Sequence, residues 1–524
     1  MAIDEHAGRG CPMSRRRFLQ AAAGAGAAAS TLGLAPGSLA SALAAEAEAP
    51  AAATRFGRMF PGLAPFATPG DALTEALLDI ARPGGMMDAD DDLAAGPVQL
   101  IVDPALSANN PNNPTHTAGA TFVGQFIDHD LTFDRTSTLN VPTEPGAVVN
   151  ARTPRLDLDS VYGAGPTGSP QLYDPADPAK LAIGHGGLFE DLPRDEAGNA
   201  VIVEPRNDEN LVIAGLHSAL ICFHNKVVDA LRSGGRRRSR ADWTEARNLT
   251  VWHYQWIVLN EILPMYVGPA MVAEVRASRR YFRPSRQQVM PVEFQGAAYR
   301  FGHSMVRPSY RANLAGDGGQ PFFGFIFDAD APPSADPDDL VGGHRAPRRF
   351  IGWQTFFDFG DGEARPNKRI DTKLSSPLFN LPLSAIASGD LPVVLAQRTL
   401  LRHVTWSMPS GQAVARRMGL EPLGPADLDE LSSYGLGLEA STPLFYYVLK
   451  EAELLSDGLY LGPVGGRIVA EVLLDVVERD PRSYLNQRPA WAPTLPDRQG
   501  NVTGDFRMVD LLAFAGVDPA SRGQ

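Results

Sequence analysis

The segment GQFIDHDLTFD, residues 124–134, places Gln125, Asp128, His129 and Asp130 within little more than one helical turn. At helical spacing Gln125 and His129 are i and i+4 neighbours on one face, while Asp128 and Asp130 project to either side. An imidazole, an amide and two carboxylates are costly to bury without partners. Either this is a helix end whose acids are solvated, or it is the wall of a site that other parts of the chain must complete. The choice constrains the fold, because the second case requires distant segments to converge on this helix.

Composition narrows the classes. A hydrophobic fraction of 44% and a charged fraction of 20% are ordinary for a globular protein, and no linker divides the middle of the 524 residues. The formal net charge is -13. Residues 1–44 carry four Arg against Asp4 and Glu5, or +2, which leaves -13 - 2 = -15 for the rest. Such an acidic body argues against nucleic acid or an anionic membrane as a partner. The one basic run, RRRSR at 236–240, follows Gly234 and Gly235 and reads as a solvated loop.

The N-terminus has the pattern of an export address. Ser14, Arg15, Arg16, Arg17, Phe18, Leu19 and Gln20 form a twin-arginine motif ahead of an Ala/Gly-rich stretch from Ala21, and Ala42, Leu43 and Ala44 offer a cleavage site. We expect a signal peptide over 1–44, a low-complexity linker over 45–59, one large domain over 60–517 and a short tail over 518–524. The expected location is periplasmic or secreted, without stable membrane insertion. Cys11 falls in the signal, so Cys222 would stand alone in the mature chain, most simply as a buried small hydrophobe. Without disulfides, an exported protein depends on a large core or a bound metal.

Helical periodicity is strongest over 117–132, 210–232, 242–264, 296–307, 393–403, 410–419 and 464–478. Strand signals are few: VIVE at 201–204 and FIF at 325–327. Residues 60–115 read as loops, and 328–346, rich in Asp and Pro, as one exposed excursion. The acidic run 88–92 lacks an EF-hand's glycine and closing glutamate, since Leu93 and Gln99 stand there. The expected class is mainly α: a single helical domain with long irregular loops and few short strands, and long ordered loops usually serve a site.

Four pieces carry chemistry. Beside the His129 segment, TPRLDLDSVYG at 153–163 sets Thr153, Asp157 and Asp159 at spacing two, which from an extended loop would point several oxygens one way. With Asp130 they form a hard-oxygen set suited to Ca2+. EPRNDEN at 204–210 places Arg206 and Glu209 at the entrance of the helix holding His217 and His224; a cap and a surface ion pair would also explain them. In AAYRFGHSMVRP at 297–308, His303 follows Gly302 on a short apolar segment, where a lone histidine is more often a satisfied core residue than a ligand.

Taken together these motifs resemble the animal-type haem peroxidases, the superfamily of myeloperoxidase, its bacterial relatives and the cyclooxygenases, over most of residues 60–480. The resemblance implies haem b as cofactor, with His129 and Gln125 from the Gln-x-x-Asp-His-Asp helix on the distal side and Arg206 as the catalytic arginine. It implies His303 as the proximal iron ligand, with Arg300 among the cofactor contacts and Gln412 at the place of the residue that hydrogen-bonds the proximal imidazole, commonly Asn. It implies a calcium loop of Thr153, Arg155 through its carbonyl, Asp157 and Asp159, completed by Asp130. Asp128 and Glu209 match acids that relatives use for ester links to haem, whereas Asn210 stands where myeloperoxidase has a sulfonium-forming methionine. The activity so implied is reduction of hydrogen peroxide and oxidation of halide, phenolic or other small donors through ferryl haem.

Three other readings stay open. A fatty-acid dioxygenase on the same scaffold would need a tyrosine three residues before His303, where Arg300 stands with Tyr299 one position off; on a helix that offset turns the side chain by about 100°. A non-enzymatic, calcium-stabilised surface protein would show loss of Arg206 or His129. A metal hydrolase built on Asp128, His129 and Asp130 would need no haem.

Overall fold

The computed structural model describes residues 54–524 apart from 234–238, 240, 284–288 and 345. The expected signal peptide and most of the basic run at 236–240 lie outside the described residues. The first described element is a strand, Thr54–Gly57, which pairs antiparallel with Val149–Asn150 and parallel with Val289–Pro291. Met59 and Phe60 are buried in the core. The last residues of the expected linker are thus part of the domain, because the pairing and the apolar side chains fix them.

Helices dominate. Those used below are α1 (Asp71–Ile80), α2 (Ala118–Leu131), α3 (Leu211–Arg232), α4 (Ala241–Ile257), α5 (Leu263–Val267), α6 (Gly302–Met305), α7 (Leu395–Thr405), α8 (Gly411–Arg417), α9 (Leu444–Ser456), α10 (Pro463–Glu478) and α11 (Met508–Ala515). α2 packs on α3, and α3 on α4 and α11. On composition α3 is long and apolar enough to cross a membrane, yet 83% of its apolar window is buried within the protein. Asn210 caps α3, its side-chain oxygen accepting from the N–H groups of Val212 and Ile213.

The pattern at 242–264 resolves into α4, a π turn over Val258–Ile262 and α5. Pro264 explains the break: it has no N–H to give the fourth residue back, and a wider turn just upstream relieves the helix. α5 ends against α2, where Tyr266 donates to the Ala120 carbonyl at 2.6 Å. A side chain at Gly124 would sit 2.5 Å from that hydroxyl, so the approach of the two helices depends on glycine there.

Several elements differ from expectation. VIVE at 201–204 is not a strand, and only Phe325 of FIF lies in one, Phe322–Phe325, which pairs with Ser309–Asn313. The pattern at 296–307 is a 3-10 turn, Ala298–Phe301, followed by the single turn of α6. α1 forms within the expected loop region, where its apolar face is short. α9 is a further helix, not among those expected, whose first half, Leu444–Leu449, is buried on all sides.

The excursion at 328–346 is exposed over most of 329–338 but turns inward at Asp339 and Leu340. It returns to cover the head of α3: Leu211 N–H donates to the Leu340 carbonyl at 2.8 Å and Gly342 N–H to the Glu209 carbonyl at 3.0 Å. A Cβ at Gly342 would lie 1.7 Å from the Asp208 carbonyl oxygen. The fully buried Arg349 holds this return through the Asp339 and Val341 carbonyls. Residues 518–524 are likewise docked, with Arg522 paired to Glu190 and Gln524 donating to the Ala315 carbonyl at 2.7 Å. Cys222 is half-buried rather than buried.

Candidate active site

α2, the turn at Pro205–Asp208, the segment 295–306 and α7 enclose a cavity of about 850 Å³. Gln125, Asp128 and His129 line it from α2, Arg206 and Glu209 from the turn before α3 and its end, and Arg300 and His303 from the segment 295–306. Residues far apart in the chain thus share one wall.

The His129 Nδ1–H donates to Asn207 Oδ1 at 2.8 Å, and Asn207 Nδ2–H donates to His217 Nδ1 at 3.0 Å. Burial, and then the nearby Arg206 charge, keep the His129 imidazole well below the usual histidine range, so it is neutral. His129 Nε2 lies 4.0 Å from Glu209 Oε1, and Gln125 donates its amide to the same carboxyl while accepting from Asn210 at 3.3 Å. Burial pushes the Glu209 carboxyl up to about 8, Arg206 offsetting only part of that.

Arg206 does not pair with Glu209. Its guanidinium grips Glu204, Nε to Oε1 at 2.8 Å and Nη2 to Oε2 at 3.0 Å, donates to the Thr132 carbonyl at 2.5 Å and lies 4.4 Å over the Phe133 ring. Glu204 is fully buried, and its oxygen also caps the turn through the Arg206 N–H. Asp128 Oδ2 lies 3.6 Å from both Arg206 and Arg300, and its Oδ1 accepts from the Thr132 hydroxyl at 3.0 Å.

In the segment 295–306, Arg300 is braced by donating to the Gln295 carbonyl at 2.7 Å. Thr399 of α7 lies beside His303: its hydroxyl donates to the Leu395 carbonyl at 3.1 Å and stands 3.5 Å from His303 Nδ1. With its proton committed to Leu395, the hydroxyl accepts from Nδ1–H, which leaves His303 Nε2 as the lone-pair nitrogen. Burial holds this imidazole near 3, so it is neutral. Gln412 does not take this place. Its amide donates to Thr442 Oγ1 at 2.8 Å and accepts from the Thr442 N–H at 2.9 Å, which ties α8 to the loop before α9.

A second cluster adjoins the back of α2. Ligand oxygens of Asp130, Asp157 and Asp159 all lie within 4.8 Å of one another. Thr153 donates its hydroxyl to Asp157 Oδ1 at 2.7 Å and its N–H to Asp159 Oδ2 at 3.0 Å, while Arg155 lies in the same loop with its N–H on the Thr153 carbonyl. The convergence does not come from an extended strand. Leu158 adopts φ 57°, ψ 34° and Asp159 opens a helical turn, so a left-handed residue brings the two acids together. Burial first, and then the neighbouring acids, raise Asp130 well above the carboxylate range, and burial with Asp157 lifts Asp159 to about 7. Ser160 also donates to Asp130, at 2.8 Å. Three carboxylates and a hydroxyl so placed are a hard-oxygen donor set that a divalent cation would neutralise.

The cavity fits a haem on its own features. Its wall carries two histidines, His129 and His303, each with a bare Nε2, and the cations Arg300, Arg398 and Arg402 for the macrocycle's two carboxylates. Tyr299 Oη and Gln295 Oε1 line it while buried without hydrogen-bond partners. Around a Cβ placed on the lining residue Gly302 there is open space.

Glu204, Asn207, Ser160 and Thr399 are the site residues that reading the sequence missed. Glu204 and Asn207 sit inside EPRNDEN, where polar density was the available signal. Thr399, on an ordinary amphipathic helix, offers none.

The fold and the cavity define a haem-peroxidase-type scaffold. Residues 133–320 match the family model described as animal haem peroxidase. The matched range holds Arg206, Glu209 and His303 and begins just after α2. Chorion peroxidase of Drosophila melanogaster is 33% identical over 125 residues, 22% of this chain and 15% of that protein. Matches to the curated relatives span 14–26% of their lengths. In fold, peroxidase A from Dictyostelium discoideum superposes with TM-score 0.59 at 15% identity, covering 88% of this chain and 95% of that one. Fatty acid alpha-dioxygenase from Oryza sativa gives 0.50 at 16% identity, covering 71% and 70%.

Proposed function

We propose that the protein is an exported haem peroxidase that reduces hydrogen peroxide and oxidises a halide, phenolic or other small donor, with a structural Ca2+ beside the distal helix. The observation that carries the reading is that His129 and His303, neutral imidazoles from distant segments, line one cavity with Arg206. Bound haem would supply the redox chemistry, taking oxidising equivalents from peroxide and passing them to the donor.

His303 would hold the iron through Nε2. The Thr399 hydroxyl at Nδ1 orients the ring and adds a little basicity, less than a carboxylate would. Cleaving peroxide requires a proton to leave one oxygen and reach the other. A neutral His129 with a free Nε2 accepts that proton and returns it, a role typically worth about 10²–10⁴ in rate. Arg206 keeps its charge throughout, and Glu204 and Phe133 hold the guanidinium still, so it stabilises negative charge on the departing oxygen without reorganising. Gln125 orients water or a halide beside His129. Asp130, Thr153, Asp157, Asp159 and the Arg155 carbonyl would hold the Ca2+, and the twin-arginine motif supports export of the folded protein.

The test is the absorption spectrum of purified full-length protein before and after peroxide, with iodide and guaiacol as donors. A Soret band that shifts with peroxide and recovers with donor is expected, and His303→Ala should lose the band. Reconstituted wild type without the band would defeat the reading.

A dioxygenase reading has one observation in its favour. The Tyr299 hydroxyl lies in the cavity wall without a partner, although the helical offset argued against it. Oxygen uptake with a fatty acid and no peroxide would select that reading.

A further inference from the structure

We infer that Asn207, backed by His217, is a positioning residue that sets which nitrogen of His129 carries the proton. The inference rests on the peroxidase reading and deepens it. A neutral imidazole has one N–H, and only the bare nitrogen can take a proton from peroxide. His129 Nδ1 is 2.8 Å from Asn207 Oδ1, an acceptor, so the proton sits on Nδ1 and Nε2 is bare.

The amide is itself oriented. Its Nδ2 donates to His217 Nδ1 at 3.0 Å, and His217, 2% exposed and held near 3 by burial, stays neutral and keeps an acceptor to offer. Turning the amide over would set its N–H groups against His129 Nδ1 and move the imidazole proton to Nε2, toward the cavity. A chain of three buried side chains with two donations in one direction thus stores a choice of tautomer. Asn207 is fully buried on the turn Pro205–Asp208, next to Arg206, so one turn presents both the fixed cation and the residue that prepares the base.

The test uses full-length ferric holoprotein and two variants, Asn207→Leu and Asn207→Asp. Hydrogen cyanide must give up its proton as it binds, so cyanide association followed at the Soret band reads the bare nitrogen without turnover. Asn207→Leu should slow association of cyanide and of peroxide by about tenfold or more, with the KM for the electron donor unchanged. Asn207→Asp, which still accepts from Nδ1–H, should stay within about threefold of wild type. Association within twofold of wild type in the leucine variant, or a loss in Asn207→Asp as large as in Asn207→Leu, overturns the inference. As a second measurement, 15N shifts of histidine-labelled wild type in its ferrous carbonyl form should show His129 Nδ1 protonated and Nε2 not. The reverse assignment overturns the inference even if Asn207→Leu takes up no haem. Wild type that binds no haem at all would instead sink the peroxidase reading and the inference with it.

Discussion

His129 and Asp130 are consecutive residues of α2, both buried, and their side chains serve two different sites. His129 bonds Asn207 beside the cavity, while the Asp130 carboxylate accepts from Ser160 and from the Leu158 N–H at 3.2 Å in the acidic cluster. One peptide unit links the imidazole proposed to transfer protons to the carboxylates proposed to hold a cation.

That link makes Asp130→Ala a double lesion. The variant should lose Ca2+ on dialysis that leaves wild type loaded, and its haem spectrum should change in the same titration. Metal analysis and absorption on one sample decide this: a normal spectrum in metal-depleted protein would break the coupling.

Asp128 and Glu209 both put carboxyl groups on the cavity wall, which makes them the expected points of ester attachment. After limited peroxide treatment, acidified butanone should leave haem on wild type and extract it from the double variant Asp128→Asn, Glu209→Gln. Complete extraction from wild type would rule attachment out.

Glu209 should also give the haem-free protein a pH signature. Its folded carboxyl, raised by burial to about 8 from an ordinary value near 4.5, stays protonated where the unfolded chain has already ionised. Stability from this group is therefore full below about pH 4.5, declines as pH rises, and is gone above about pH 8. The loss should be roughly 2–4 kcal/mol across that window, allowing for partial solvent access. Melting of the apoprotein should show Glu209→Gln with a flatter profile than wild type from pH 5 to 8; parallel profiles would place the proton elsewhere.

Thr399→Val removes the hydroxyl that stands beside His303 Nδ1 while keeping the helix and the volume. With a less basic ligand the ferric state loses preference, and the reduction potential should rise by roughly tens of millivolts, about 59 mV being a tenfold change. Redox titration reads this directly. A Gln412→Leu variant should leave the potential in place, because its amide is spent on Thr442.

Much of the site could be read from the chain because its parts are short and locally dense. Gln125 to Asp130 lie on one helix and Arg206 to Asp208 on one turn, with Glu209 and Asn210 leading directly into α3. Local spacing settles which residues are neighbours on such an element.

Partnership across elements is another matter. That Thr399 and not Gln412 stands at His303, and that Asn207 joins His129 to His217, follow from how α3 and α7 dock on the cavity. The left-handed turn at Leu158 and the return of 337–342 over the head of α3 are likewise long-range outcomes. Hydrogen bonds and close packing act over a few ångströms, so residues distant along the chain acquire partners only once the whole chain has packed.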